Sequence, residues 1–285
     1  MDAPVWQIRH KRLTSSPLVF AIINLTPDSF FDGGKRTEPG KIVDYCVSLA
    51  KKGVHALDLG AESTRPGAVQ LNPQAEWQRL EPILSGLQAK LQSKLYTPPF
   101  ISIDTYNSYT AAKALDLGVD IINDVSAFEY DPKLKDVLLE YKPGYVLMHS
   151  QGRPKNMQAK PCYKNVVTEV YDFLARKMEV LLNAGFPMQN IILDPGIGFG
   201  KTLEHNLDLL RNLNKFKTLG RPIFVGISNK RMFGDLLGLS VHKRATITQV
   251  ATALLAAQGV YAHRVHNAQA TLNTLKLFEN LKITP

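Results

Sequence analysis

The stretch FISIDTYNSYTAAKALDLGVDIIND, residues 100–124, contains a complete strand–helix–strand unit. Its two ends, FISID (100–104) and VDIIND (119–124), are short apolar runs, as expected of parallel strands that are buried on both faces. The intervening NSYTAAKALDLG (107–118) has a helical pattern and closes on Gly118, a predicted helix C-cap. The stretch therefore predicts one βαβ unit of a parallel sheet.

The same unit recurs along the whole chain. Three further helical patterns close on glycine, at Gly53, Gly185 and Gly259. Eight strands that alternate with helices favour a (β/α)8 barrel, the TIM barrel, over an open doubly wound sheet. No low-complexity linker divides the chain, so we expect a single domain over residues 1–285, with residues 1–17 as an N-terminal extension or hairpin. The predicted strands are LVFAIIN (18–24), VHALDLG (54–60), FISID (100–104), VDIIND (119–124), GYVLMH (144–149), NIILD (190–194), PIFVGIS (222–228) and VYAHRVH (260–266).

The composition narrows the class of protein. Hydrophobic residues make up 45% and charged residues 21% of the 285 residues, which is ordinary for a soluble globular protein. No apolar run reaches the roughly 18 residues that span a bilayer, and no secretory signal is visible, so no membrane partner is predicted. Cys46 and Cys162 lie in unrelated contexts, which predicts neither a disulfide framework nor a zinc site and favours a reducing cytoplasm.

The formal net charge of +9 raises the question of nucleic acid. The basic residues are scattered, and no Lys/Arg cluster is interleaved with aromatic residues. We therefore predict no nucleic-acid partner, since a basic chain that handles small anionic substrates fits the charge equally well.

A TIM barrel is expected to carry its catalytic residues at the C-terminal ends of its strands. Strand ends that reach solvent account for one or two polar residues, but Asp104 and Asn123 still lie within their strands. Together these residues predict a functional ring at one rim. The ring comprises Asn24, Asp58 with Glu62, Asp104, Asn123, Asp124, Met148, His149, Asp194, Ser228 with Lys230, and Arg264 with His266.

The glycine-rich stretch DPGIGFGKT, residues 194–202, is not a nucleotide motif. A P-loop would need glycine at position 195, which is Pro195, and the dinucleotide pattern fails because Lys201 stands at its last position. What remains is Asp194 at a strand end, followed by a turn that presents Phe199.

Two other stretches are predicted to be loops that close over a substrate. NLTPDSFFDGGKR (24–36) combines glycines with an adjacent aromatic pair that a surface turn does not need. LGAESTRPGA (59–68) contains Arg65, and a guanidinium is suited to bidentate contact with phosphate oxygens. Taken alone, this second loop also fits a solvated turn.

Eight motifs in chain order resemble those of the dihydropteroate synthases, and the resemblance covers residues 18–285. The motifs are NLTPDSFFDGG, GAESTRPGA, SIDT, INDVSA, LMHSQGRP, LDPGIGFGKT, VGISNKRMFG and HRVHN. That family is built on a (β/α)8 barrel. It joins 6-hydroxymethyl-7,8-dihydropterin diphosphate to p-aminobenzoate, releases diphosphate, and is the target of sulfonamide drugs. The resemblance also suggests a homodimer.

The resemblance implies a role for each matching residue. Asp104, Lys230 and Arg65 would take part in the chemistry, with Asp104 stabilising positive charge that develops on the ring. Asn24 would help to hold Mg²⁺, the expected cofactor. The implied pterin site is Asp104, Asn123, Met148, Asp194, Phe199 and Lys230. The implied diphosphate site is Asn24, Arg65, Arg264 and His266. The implied p-aminobenzoate pocket is Phe30, Thr64, Pro66, Phe199, Ser228 and Lys230.

The chain departs from the family pattern at three positions. Asn229 stands where the family usually has arginine, Asn267 where it has aspartate, and Ala61 where it has a second glycine. Two other functions stay open at this point. A pterin-dependent methyltransferase would share the pterin end of the site but would not need a diphosphate site. A catalytically silent paralogue that binds pterin is kept open by Asn229.

Overall fold

A computed structural model of the protein describes residues 5–13, 17–26, 38–62, 70–91, 97–153, 157–158 and 161–281. Eight strands form one parallel sheet, in the order β8-β7-β6-β5-β4-β3-β10-β9. A parallel bridge between Leu193 and Ile223 joins the two ends, so the sheet closes into the predicted barrel. Its strands are β3 (Leu18–Asn24), β4 (Ala56–Gly60), β5 (Phe100–Asp104), β6 (Ile121–Asp124), β7 (Gly144–Met148), β8 (Ile191–Asp194), β9 (Phe224–Val225) and β10 (Ala262–Val265).

The strand β9 is much shorter than the predicted run of residues 222–228. It pairs with β10 through Phe224 and Val225, and the bridge at Ile223 is its link to β8. The chain then turns, with Asn229 at a φ of 57°, before the next helix begins at Arg231. The barrel is therefore closed by few inter-strand hydrogen bonds at this seam. Ser228 and Lys230 lie just beyond the end of β9.

Helices cover the outside of the barrel. Gly53, Gly118, Gly185 and Gly259 follow helix ends with φ between 75° and 90°, which confirms the predicted glycine caps. The helices are α1 (Pro39–Lys51), α2 (Pro73–Lys90), α3 (Ser108–Asp116), α4 (Leu134–Tyr141), α5 (Val166–Asn183), α6 (Leu203–Arg211), α7 (Leu213–Lys217), α8 (Arg231–Leu237), α9 (Arg244–Ala257) and α10 (Ala268–Leu281). No helix in these described parts of the chain is long and apolar enough to cross a membrane.

The N-terminal segment forms a hairpin that plugs the lower end of the barrel. Strands β1 (Trp6–Ile8) and β2 (Lys11–Leu13) pair in antiparallel fashion. The Trp6 side chain is fully buried, stacks near Phe20 with ring centroids 5.9 Å apart, and donates a hydrogen bond from Nε1 to the Asn190 carbonyl at 2.8 Å. The prediction of an extension or hairpin is thus resolved as a hairpin built into the inner core.

The alternation of side chains along each strand explains why polar groups gather at the upper rim. In β4, Leu57 and Leu59 face the helices, whereas Ala56 packs in the inner apolar cluster with Trp6 and Phe20. Because successive side chains point to opposite faces, Asp58 faces the interior two residues above Ala56. The same step of two separates three further apolar inner residues from polar ones: Ile121 from Asn123, Ile192 from Asp194, and Ala262 from Arg264.

Candidate functional site

The centre of the barrel mouth is an ion-paired cluster around Arg264. Its Nε donates to Asp58 Oδ2 at 2.5 Å, and its Nη2 donates to Asp104 Oδ2 at 2.6 Å. Asp58 also accepts hydrogen bonds from Ser102 Oγ at 2.6 Å and from Asn123 Nδ2 at 3.1 Å. Burial opposes the charged form of Arg264, but the carboxylates of Asp104 and Asp58 outweigh it and hold the Arg264 pKa above its ordinary value.

Asp58 is the functional residue that sequence reasoning did not assign. It was recognised as a strand-end carboxylate, yet no role was attached to it. The register of the two strands explains its contacts, because Asp58 lies beside Ser102 in the neighbouring strand. Arg264, predicted to bind diphosphate, is anchored by two carboxylates. A guanidinium has five N–H donors, so Arg264 keeps donors beyond the two engaged here.

Asp104 combines a shifted pKa with an open acceptor. Burial raises the pKa of its carboxyl group to about 7, while Arg264 acts in the opposite direction. Its Oδ1 atom is buried and has no hydrogen-bond partner among the residues that the structure describes. A buried acceptor without a donor is costly, so this oxygen is suited to accept a hydrogen bond from a bound ligand.

Asp194 is held by a tight turn in which position 196 has no room for a side chain. Its Oδ1 accepts the Gly196 N–H at 2.7 Å, and Gly196 has a φ of 71°. A Cβ at Gly196 would lie 1.8 Å from the His149 carbonyl oxygen, so only glycine fits here. Burial raises the pKa of Asp194 to about 6, opposed by the Gly196 hydrogen bond and then by Lys230. The sequence correctly singled out this turn.

Lys230 and Phe199, both predicted for the pterin site and the p-aminobenzoate pocket, are in contact at one side of the barrel mouth. The Lys230 Nζ lies 4.3 Å from the centroid of the Phe199 ring and donates a hydrogen bond to the Ile197 carbonyl. Burial lowers the pKa of Lys230 to about 8, although Asp194 acts to raise it. Met148 is buried against Tyr106 and Val125 in an apolar cluster on which Phe199 also packs. This side of the barrel mouth therefore offers a flat apolar surface beside charged groups.

Ser228 and His266, predicted to belong to two different subsites, are in direct contact. The Ser228 Oγ lies 3.0 Å from His266 Nδ1 and accepts the His266 backbone N–H at 3.2 Å. Asn229, the departure from the family pattern, occupies the left-handed turn that follows. Asparagine tolerates this conformation better than most residues, and Arg244 Nη1 donates to its carbonyl at 3.2 Å. The turn itself therefore accounts for an asparagine.

The remaining predicted residues divide into two groups. Asn24 is the half-buried last residue of β3 and lies opposite Gly60 in the sheet. Phe30, Thr64, Arg65 and Pro66, and with them both predicted closing loops beyond their first residues, lie outside the described residues.

The base of the second predicted loop is fixed by a carboxylate. Glu62 Oε1 accepts from Tyr106 Oη at 2.7 Å, and Glu62 Oε2 accepts the Leu71 N–H at 3.1 Å. The two ends of that loop are therefore held close together.

The donors for a metal ion are few. Across the described ranges, no group of three or more His, Cys, Asp and Glu side chains could hold a metal. The amide oxygen of Asn24 is a hard ligand of the kind that Mg²⁺ prefers. The expectation that Asn24 helps to hold Mg²⁺ therefore stays a prediction.

Comparisons with known proteins agree with this geometry. The sequence model of a family described as pterin binding enzyme matches residues 20–266. A dihydropteroate synthase of Neisseria meningitidis serogroup C is 40% identical over 288 residues, which cover 99% of this chain and 99% of that protein.

Two solved structures are similar over almost their whole length. A Xanthomonas albilineans dihydropteroate synthase with 4-aminobenzoic acid has a TM-score of 0.89 at 34% identity, covering 99% of this chain and 100% of that one. A Yersinia pestis dihydropteroate synthase with a sulfonamide drug complex has a TM-score of 0.88 at 31% identity, covering 97% and 98%.

Proposed function

Because the chain belongs to the dihydropteroate synthase family, we propose that it joins 6-hydroxymethyl-7,8-dihydropterin diphosphate to p-aminobenzoate and releases diphosphate. The observation that carries this function is the buried acceptor floor of the barrel mouth. There, Asp104 keeps an oxygen that has no hydrogen-bond partner among the described residues, beside Asn123, Asp194 and Lys230. A pterin ring presents N–H donors and a carbonyl oxygen along one edge, which complement such a floor. The same family assignment makes the site a sulfonamide target.

The residues at the barrel mouth bind the pterin ring before any covalent bond is broken or formed. Asp194 accepts from the N–H groups of the guanine-like edge, and Asn123 reads the neighbouring ring nitrogens with its amide. Lys230 donates to the ring carbonyl, and Met148 packs on the ring face. These contacts replace water at buried charges, so the ring is held in one orientation.

The chemistry breaks one C–O bond and forms one C–N bond. The electron pair of the C–O bond leaves with diphosphate, and the methylene carbon that carried it becomes electron-poor. Burial raises the pKa of Asp104 to about 7 and Arg264 acts to lower it, and in its ionised form Asp104 stabilises the positive charge that spreads into the ring. The amine nitrogen of p-aminobenzoate then attacks this carbon and gives up a proton. The site contributes mainly electrostatic stabilisation and exclusion of water.

Cations at the rim receive the leaving group. Arg264, His266 and Arg65 are proposed to bind the diphosphate oxygens. Asn24 would help to hold Mg²⁺, which supplies positive charge that neutralises the phosphates. Ser228, Lys230 and Phe199 are proposed to contact p-aminobenzoate, and the family resemblance adds Phe30, Thr64 and Pro66 to this predicted pocket.

The test is release of diphosphate from the pterin diphosphate, measured with and without p-aminobenzoate. Turnover that requires both substrates, with formation of 7,8-dihydropteroate, is the expected result. A silent paralogue would bind pterin without turnover. A pterin-dependent methyltransferase would show no release of diphosphate. Either result would reject the proposed function.

We also propose that the protein is a homodimer that uses the face formed by α8, α9 and α10. Seven large apolar side chains on and beside these helices are 48% to 67% exposed, and exposed apolar side chains that cluster on one face of a protein favour an interface. Light scattering should give twice the mass of the chain, and Leu254→Glu should shift it towards the monomer. The patch comprises Leu236, Leu237, Val241, Val250, Leu254, Leu277 and Leu281.

The proposed compartment is a reducing cytoplasm. Cys46 is buried and Cys162 is exposed, and both are free thiols. An exposed free thiol is better suited to a reducing compartment than to an oxidising one.

A further inference from the structure

The glycine-rich turn that carries Asp194 contains a buried lysine with no role in the chemistry above. Lys201 is 3% exposed, and its Nζ lies 2.9 Å from His149 Nδ1 and 3.0 Å from the Phe199 carbonyl oxygen. Lysine is almost never fully buried unless its charge is compensated. The question is therefore which group compensates it.

The geometry places Lys201 directly behind the Asp194 turn. A Cβ built on Gly196 would lie 3.4 Å from the Lys201 Nζ, and the N–H of the same glycine is donated to Asp194 Oδ1 at 2.7 Å. His149, the partner of Lys201, donates its backbone N–H to the Asp194 carbonyl at 3.1 Å. The lysine, the histidine and the carboxylate thus form one connected unit across the turn.

Within this unit, Asp194 and Lys201 each affect the pKa of the other. Burial lowers the pKa of Lys201 well below its ordinary value, Asp194 acts to raise it, and Lys230 acts to lower it. Among the described residues, Asp194 is the one carboxylate whose charge favours the protonated lysine. In return, Lys201 is one of the cations that favour ionised Asp194, after Lys230.

His149 is suited to accept a hydrogen bond from an ammonium group. Burial and then the neighbouring Lys201 lower its pKa to about 2, so the imidazole is neutral. Its ring meets Phe173 edge to face, with centroids 4.8 Å apart, which fixes its orientation. A neutral, fixed imidazole leaves Nδ1 as the acceptor when the proton is on Nε2.

We propose that Lys201 is a positioning residue whose positive charge acts through space on Asp194 across the glycine turn and keeps this carboxylate ionised to receive the pterin edge. The inference rests on the proposed pterin role of Asp194. It goes beyond the activity itself, because it gives a role to a residue that does not contact the substrate. It also explains the lysine in GFGKT without a phosphate ligand.

The test is the pH dependence of binding of 6-hydroxymethylpterin, measured by titration calorimetry between pH 5.5 and pH 8. Loss of the Lys201 charge raises the pKa of Asp194. As the pH falls, the Asp194 carboxylate of the variant therefore becomes protonated at a higher pH than that of the wild type. With a rise of about one unit, Lys201→Met binds the pterin about fivefold more weakly at pH 6 and less than about twofold more weakly at pH 8. Lys201→Arg keeps the charge and restores the wild-type profile.

The matched control is Lys217→Met. Lys217 is also partly desolvated and hydrogen-bonded to a carbonyl, that of Gln258, but it lies between the C-terminal ends of α7 and α9 and outside the site. Its pH profile should coincide with that of the wild type. The thermal midpoint of every variant is measured alongside, which separates a change of fold from a change of profile.

A second pair of variants changes His149, the hydrogen-bond partner of Lys201, and leaves the lysine itself in place. His149→Asn offers an amide oxygen near the position of Nδ1, whereas His149→Phe removes the acceptor and keeps an aromatic ring against Phe173. The phenylalanine variant should shift the profile in the same direction as Lys201→Met, and the asparagine variant should not. This pair keeps the inference testable if Lys201→Met does not fold.

Two results would overturn the inference. If the pH midpoint of pterin binding is unchanged in both Lys201→Met and His149→Phe, Lys201 is neutral and does not act on Asp194. A loss of affinity that is equal at all pH values would indicate a purely structural role. Because pterin binding is read directly, these outcomes are distinct from an absence of synthase turnover, which would reject the proposed function instead.

Discussion

Replacement of Arg264 is expected to affect the stability of the barrel as well as its activity. The Arg264 side chain is 19% exposed and bridges Asp58, which is 0% exposed, and Asp104, which is 6% exposed. Arg264→Met leaves both carboxylates in the interior without their cation. Removing one partner of a buried ion pair typically costs about 3–5 kcal/mol, because the remaining charge stays desolvated. We therefore expect a loss of about this size in the free energy of unfolding at pH 8, measured by urea denaturation.

The loss should depend on pH in a defined direction. Burial raises the pKa of Asp104 to about 7 in the native protein, and Arg264 acts to lower it, so the variant binds a proton more readily still. The unfolded carboxyl group has a pKa of about 3.9, so the native state holds the extra proton between these values. Stability from this protonation is present at low pH and is lost as pH rises through the folded pKa. The penalty of Arg264→Met should accordingly be smaller at pH 5.5 than at pH 8.

The matched control is Arg231→Met. Arg231 pairs with Asp235 at 3.3 Å on the surface, where the two side chains are 84% and 41% exposed. Surface pairs of this kind contribute about 0–1 kcal/mol, so the control should change stability little. The double variant Asp58→Asn with Arg264→Met should lose less than the sum of the single variants, since the two residues share one interaction. A loss below about 1 kcal/mol in Arg264→Met, or an equal loss at both pH values, would refute the reasoning.

Three further predictions follow from other features. Gly196→Ala should abolish pterin binding in calorimetry, because its Cβ would lie 1.8 Å from the His149 carbonyl oxygen and the turn holds Asp194. His263→Leu should stabilise the protein by about 1–3 kcal/mol at pH 7 in urea denaturation, since both ring nitrogens of His263 are buried without partners among the described residues. Mg²⁺ and diphosphate should strengthen the binding of p-aminobenzoate in calorimetry and be strengthened by it in turn, because all three favour the same closed state of the site.

Each of these has a result that would contradict it. For Gly196, the control is Gly40→Ala, where a Cβ meets nothing within 4 Å, and equal pterin affinity in both variants would reject the steric argument. Burial lowers the pKa of His263 to about 4, so the wild type should lose stability as pH falls from about 6.5 towards 4, and a leucine variant with the same loss would be inconsistent. Equal affinity of p-aminobenzoate with and without Mg²⁺ and diphosphate would indicate a preformed pocket.

Local patterns in the sequence were sufficient for the architecture and for much of the acceptor floor. Continuous apolar runs, helical periodicity and glycine caps report short-range preferences, so the strand–helix repeat and the caps at Gly53 and Gly118 could be read directly. A strand has a fixed side-chain period, so Asp104, Asn123 and Asp194 could be placed at one rim once the barrel was assumed. The N-terminal segment could be predicted only as an extension or a hairpin, because its burial depends on an inner core formed by distant strands.

The pairing of charges could not be read in the same way, because it depends on which strands the closed barrel brings together. Arg264 and Asp58 are 206 residues apart in the chain, and they meet because β10 and β4 both flank β3. The contact of Lys201 with His149 spans 52 residues and exists because the Asp194 turn folds back over the end of β7. Neither contact has a local signal, since a buried charge is defined by its surroundings and not by its sequence neighbours. Asp58 could be predicted as a carboxylate at the rim, but only the closed barrel makes it the common acceptor for Arg264, Asn123 and Ser102.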